Sequence, residues 1–261
     1  MTVKRNWFLC VMVVLVACTS TRLLQGAKPT FYIIGDSTVR NGDGTGKGGL
    51  WGWGSFLSAY FDTTKINVEN DALGGRSSRT FITGGRWANV LSKLKKDDYV
   101  IMQFGHNDGG PLDDTARARG TLKGISEEAK EIDNPITKKK EVVHSYGWYM
   151  RQYVRDAKEK GAVPIIASLI PRNQWKDGKV VRSADSYSGW AQRIAKDEGV
   201  TFIDLNDLVA TQYEALGENA VKQFFPGDHT HTNREGAALN ANIVARQLNE
   251  KNPGQLRRYL K

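Results

Sequence analysis

Five short apolar runs punctuate the chain: "TFYIIG" at 30–35, "INVENDA" at 66–72, "DYVIMQF" at 98–104, "AVPIIAS" at 162–168 and "VTFID" at 200–204. They are read as apolar throughout rather than alternating, which predicts strands covered on both faces, as in a parallel sheet. A second period lies between them. Residues 141–160 place Val142, Tyr146, Tyr149, Tyr153 and Ala157 at helical spacing and end at Gly161, a C-capping glycine. Residues 185–198 and 234–249 repeat that pattern. Strands alternating with helices imply right-handed crossovers and an α/β fold with a doubly wound, five-stranded parallel sheet. No internal repeat or second boundary interrupts residues 29–261, which are expected to form one domain. Residues 109–140, long, polar and charged with "TKKK" at 137–140, are expected to form an excursion above the carboxyl edge of the sheet.

The N-terminus follows another logic. Lys4 and Arg5 precede the apolar run "WFLCVMVVLVAC", the pattern of an export signal and short for a bilayer span. Leu15-Val16-Ala17-Cys18 resembles a bacterial lipobox, so residues 1–17 are expected to be a lipoprotein signal and residues 18–28 a linker. Lipidation would then fall on Cys18, with cleavage after Ala27 as the plainer alternative. The protein is expected to be exported, either to the periplasm or cell surface on a lipid anchor or as a secreted protein.

Composition narrows the chemistry. Of 261 residues, 40% are hydrophobic and 25% charged, enough for one globular domain with a sizeable core. Both cysteines, Cys10 and Cys18, lie in the signal region, leaving the domain neither a disulfide nor a thiol nucleophile. The net charge of +9 becomes about +7 once Lys4 and Arg5 leave with the signal, which suits an acidic polymer as well as an ordinary basic surface. Aromatic residues do not interleave with a basic stripe, so no nucleic-acid partner is expected.

In doubly wound sheets, ligands gather at the carboxyl ends of the strands. The first run ends in Gly35-Asp36-Ser37-Thr38, the second in "NDALGGRS" at 70–77 and the third in Phe104-Gly105-His106-Asn107-Asp108; "FFPGDHTHTN" follows at 224–233. Ser37 is expected on a sharp strand-to-helix turn, where it reads equally as a helix N-cap. A serine hydroxyl becomes a good nucleophile only when a base takes its proton. His231 is the candidate base, and Asp228, three residues earlier, can fix its tautomer. The same "DHTH" block also reads as metal ligands, His229 and His231 with Asp228. No further His or Cys cluster completes a coordination shell, so neither a metal nor a cofactor is expected. Asp36 is expected to hold the turn, not to act in proton transfer. Gly44, Gly46 and Gly49 match a dinucleotide-type G-x-G-x-x-G with Asp71 downstream, but the match starts nine residues beyond the strand end at Gly35. A rim loop is expected there.

The four blocks "GDST", "NDALGGRSSRTF", "FGHNDGG" and "DHTHTN", in this order and each at a strand end, resemble the SGNH (GDSL-like) hydrolases, from about Thr30 to about Asn249. Within that family their wording is closest to the rhamnogalacturonan acetylesterases. The resemblance implies a flavodoxin-like three-layer α/β/α sandwich and a cofactor-independent serine esterase with Ser37 as nucleophile, His231 as base and Asp228 as its orienter. It implies oxyanion donors at the backbone N–H of Ser37, the backbone N–H of Gly75 and the side-chain amide of Asn107. His106 takes no proton-transfer role in that pattern and is expected to be structural or to touch substrate. The implied substrate is acetylated plant cell-wall polysaccharide, first of all rhamnogalacturonan. Another acetylated glycan such as xylan, or a catalytically silent carbohydrate-binding lipoprotein of the same fold, are the alternatives. Trp51, Trp53, Trp87 and Trp175 are candidates for stacking on sugar rings; of these Trp53 and Trp87 are expected in the core and Trp175 against sugar. Arg76, Arg79, Arg86 and Arg172 are candidates for facing a uronate carboxylate.

Overall fold

The computed structural model describes residues 28–261; the expected export signal and lipidation at Cys18, and the expected linker up to residue 27, lie outside the described residues. In chain order the elements are β1 (Thr30–Gly35), β2 (Asn67–Asn70), α1 (Ser78–Thr83), α2 (Arg86–Lys93), β3 (Tyr99–Gln103), β4 (Ala129–Asn134), β5 (Lys139–His144), α3 (Tyr146–Glu159), β6 (Val163–Ala167), β7 (Trp175–Lys176), β8 (Lys179–Val180), α4 (Tyr187–Asp197), β9 (Thr201–Ile203), α5 (Leu205–Leu216), α6 (Glu218–Lys222) and α7 (Arg234–Lys251). The five expected strands pair in parallel in the order β2-β1-β3-β6-β9, with Ile33 opposite Ile101 and Ile101 opposite Ile165. This is the flavodoxin-like order.

Alternation along β1 builds the three layers. Phe31 and Ile33 enter one core with Leu205, Val209 and Tyr213 of α5 and Ala241, Val244 and Leu248 of α7. Tyr32 and Ile34 enter the other, with Phe81 of α1, Trp87 of α2, Tyr153 of α3 and Ile194 of α4. β1, β3 and β6 are therefore apolar on both faces, which is why their runs lack alternation, whereas the edge strand β2 (Asn67–Asn70) is polar and only partly buried. Trp53 and Trp87 lie in these cores, their indole N–H groups donating to Gln103 Oε1 at 2.9 Å and Asp156 Oδ2 at 2.7 Å.

Two expectations are corrected. The helix expected over 141–160 begins only at Tyr146, because Ser145 caps it by accepting the Trp148 N–H. Val142, assigned to that helix's apolar face, instead lies in β5 and is 50% exposed. The polar segment before it closes into the antiparallel β4–β5 hairpin. Arg79, one of the uronate candidates, is fully buried at the base of that hairpin. Its guanidinium donates to both carboxylate oxygens of Glu141 at 2.7 Å and to the carbonyls of Leu112 and Gly120, so it ties α1 to the hairpin.

Candidate active site

The order of the sheet has one reversal point. The chain leaves β1 toward β2 on one side, then returns to β3 on the other, so the loops after β1 and β3 part and open a crevice between them. Ser37 stands in the first loop and His106-Asn107-Asp108 in the second. The turn after β1 is tight: a Cβ on Gly35 would meet Val39 Cγ2 at 2.5 Å and the Gln103 carbonyl at 2.7 Å. Asp36 is fully buried, and its Oδ1 accepts from the Thr38 N–H and hydroxyl at 2.9 and 2.7 Å. The amides of Val39 and Arg40 both donate to the Asp36 carbonyl. No α-helix follows Ser37, contrary to the strand-to-helix expectation. The glycine-rich stretch carries the chain into short 3-10 turns, so Ser37 caps nothing and its hydroxyl is left for another partner.

That partner is His231. Ser37 Oγ lies 2.8 Å from His231 Nε2, and His231 Nδ1 lies 2.7 Å from Asp228 Oδ2. Asp228 Oδ1 accepts from the backbone N–H groups of Thr230 and His231 at 2.6 and 2.8 Å. Partial burial opposes its ionisation, but the His231 ring and these amides win and hold the Asp228 carboxyl down at about 2. A carboxylate accepts only, so His231 Nδ1 carries the hydrogen and Nε2 is left to accept from Ser37.

Asn107 and Gly75 arrive from the neighbouring strand ends. The Asn107 Nδ2 donates to the Arg76 carbonyl at 2.9 Å and retains a second hydrogen. Gly74 packs its Cα face toward Ser37, an added Cβ lying 3.5 Å from Ser37 Cβ, while Gly75 takes φ 75°, the left-handed region that suits glycine. Asp36 and His106 form a buried support beneath the turn, the ring nitrogens of His106 lying 3.2 Å from Asp36 Oδ2 and 3.1 Å from the Ile170 carbonyl. Burial works against the Asp36 charge, yet His106 and the Thr38 bonds keep its carboxyl below the ordinary range. Trp175, the expected sugar platform, is a partly buried member of β7 packed against the core.

One residue with a clear place at the site was missed, and a second, Trp51, has a place there other than against sugar. Gln103, a polar side chain inside an apolar strand, bridges the Trp53 indole to the Thr38 hydroxyl and so braces the Ser37 turn from below. The Trp51 N–H donates to the Thr232 carbonyl at 2.8 Å and the Thr232 hydroxyl donates back to the Trp51 carbonyl at 3.2 Å, which anchors the loop carrying His231. The glycine-rich rim makes this possible, because a Cβ on Gly46 would meet the Trp51 ring at 2.1 Å. A polar residue in a buried run was a legible signal for the first; the second depends on a contact across 181 residues.

Comparison with known proteins agrees with this architecture. The model of the GDSL-like Lipase/Acylhydrolase family matches residues 33–239. A rhamnogalacturonan acetylesterase of Emericella nidulans is 34% identical over 235 residues, covering 89% of this chain and 90% of its own. The probable rhamnogalacturonan acetylesterase YesY of Bacillus subtilis is 31% identical, over 84% of this chain and 92% of its own. Among solved structures, the crystal structure of the Bacillus subtilis protein YxiM superposes with a TM-score of 0.69 at 26% identity, over 86% of this chain and 57% of that one.

Proposed function

Because the chain belongs to the GDSL-like lipase/acylhydrolase family, we propose that it is an exported serine esterase that removes acetyl groups from pectic polysaccharide, first of all rhamnogalacturonan. The observation that carries the chemistry is the hydrogen-bonded run from Ser37 Oγ through His231 to Asp228. The names of the Emericella and Bacillus relatives carry the substrate.

Ser37 Oγ attacks the acetyl carbonyl carbon as its proton passes to His231 Nε2, and Asp228 steadies the imidazolium that forms. The negative charge on the carbonyl oxygen is met by the N–H groups of Ser37 and Gly75 and by the Asn107 amide. On collapse the ester C–O bond breaks, and the His231 proton goes to the departing sugar oxygen. Water then attacks the acetyl-enzyme with His231 as base, and acetate leaves as Ser37 recovers its proton.

Acetate release from defined polysaccharides tests the substrate. Acetylated rhamnogalacturonan should be turned over faster than acetylated xylan; the reverse order would move the assignment to another glycan, and no ester hydrolysis with measurable polymer binding would make the protein a binding module. Asn107→Ala should lower kcat by about 10²-fold or more with KM within a few-fold, since an oxyanion donor acts only in the transition state. A pure KM effect in steady-state kinetics would remove Asn107 from that role.

A further inference from the structure

A second concavity, of about 230 Å3, lies against the site, with Gly105, His106, Ile170, Arg172, Gln174 and Tyr187 among its walls. The segment 170–175, which forms part of its wall, bonds to the loops that carry the catalytic residues. Arg172 Nη2 donates to the His106 carbonyl at 3.4 Å, next to Asn107. The Asn173 N–H donates at 2.8 Å to the carbonyl of His229, on the loop that carries Asp228 and His231. A polymer whose acetyl ester reaches Ser37 would therefore lay an adjoining part in this cleft. Its volume is on the scale of one monosaccharide, not an oligomer.

The cleft holds a cation with an unmet demand. Arg79, Arg151, Arg155, Arg182 and Arg193 each pair with a carboxylate, and Arg182, in the same cleft, is taken up by Asp207 and Glu214. Among the described residues Arg172 has no carboxylate within ion-pair distance, and its buried Nε has no hydrogen-bond partner. Leaving a buried donor of a charged group unsatisfied is costly unless a ligand completes it. Nη2 carries two hydrogens, of which one goes to the His106 carbonyl in a long bond, and the Nε and Nη2 edge of a guanidinium is the one that a carboxylate accepts bidentately.

We propose that this cleft is a subsite for a uronate carboxylate of the acetylated chain, read by Arg172. The inference rests on the reading of the protein as a pectic acetylesterase, and it assigns the group that recognises the acidic sugar. It also gives Arg172 a function that the paired arginines do not have.

The test crosses the protein with its substrate. Wild type, Arg172→Gln and Arg172→Lys are assayed on an acetylated uronate-containing oligosaccharide and on the same oligosaccharide with its carboxyl groups reduced to alcohols. Reduction should raise the wild-type KM about tenfold, the scale of one charge-assisted contact. Arg172→Gln should raise KM on the native oligosaccharide by the same factor and be nearly indifferent to reduction, with Arg172→Lys between. A wild type indifferent to reduction overturns the subsite without needing a variant. So does an Arg172→Gln that loses equally on both substrates, the result expected of a structural residue. If the wild type cleaves a chromogenic acetyl ester but neither oligosaccharide, the pectic reading fails and takes the subsite with it. If it cleaves the native oligosaccharide and Arg172→Gln matches it, the subsite alone fails.

Discussion

Ser37→Ala should lower kcat on a chromogenic acetyl ester by roughly 10⁵-fold or more while leaving the melting midpoint close to that of the wild type. The size follows from what the hydroxyl does. In the proposed mechanism there is no acetyl-enzyme without Oγ, and His231 and Asp228 have no proton to move, so removing the serine forfeits the whole unit, not a share of it. The remaining rate comes from polarisation of the carbonyl by the backbone amides and Asn107 acting on a water attack. The stability expectation is equally specific. Ser37 is only partly buried, and its hydroxyl makes one hydrogen bond, to His231. The turn itself is held by Asp36, Thr38 and Gln103, none of which the substitution touches. A folded variant that keeps near-wild-type turnover would sink the nucleophile assignment.

The parts of this molecule that could be read from the sequence are those fixed by local pattern. The five strands sit within two residues of the apolar runs, because a buried parallel strand must be apolar on both faces over a short, bounded length. The pairing of Asp228 with His231 was visible for a similar reason: three residues apart on one loop, they meet whatever the rest of the chain does. Sequence periodicity failed where two elements share one pattern. Val142 continues the spacing of α3 by chance, and only the Ser145 cap and the pairing of β5 with β4 show that the helix starts later. The β4–β5 hairpin was illegible because its charged alternation looks like a solvated loop until Arg79 is placed beneath Glu141. At the site, Asp36 was read as a turn residue on its adjacency to Ser37. Its partner His106 comes from another strand end, a contact that no local signal carries.

Asp108→Asn should alter the pH dependence of stability by about 4 kcal/mol between pH 4 and pH 8. Asp108 is fully buried behind the loop that bears Asn107. Its Oδ1 accepts from the Ser78 N–H and hydroxyl, and its Oδ2 is buried without a hydrogen-bond partner among the described residues. Burial pushes the carboxyl up to about 7; the two Ser78 bonds oppose this, and the nearby Asp36 charge adds to it. In the unfolded chain the group titrates near 4. Between about pH 4 and pH 7 the folded protein therefore holds a proton that the unfolded chain has lost. Protonation at Asp108 favours the folded state fully below the unfolded value, and that contribution is lost as pH rises through about 7. Asparagine keeps an acceptor for Ser78 and carries no charge to bury. It also leaves an amide donor where Oδ2 was, a cost of roughly 1–3 kcal/mol that does not vary with pH. The variant should accordingly be the less stable protein near pH 4, gain on the wild type up to about pH 7 and level off by pH 8. Urea unfolding of both proteins across that range isolates the difference, since every other titrating group is shared. A difference that stays flat with pH would mean that Asp108 is ionised in the folded protein throughout. It would also mean that the link it makes between the Asn107 loop and the start of α1 does not respond to pH.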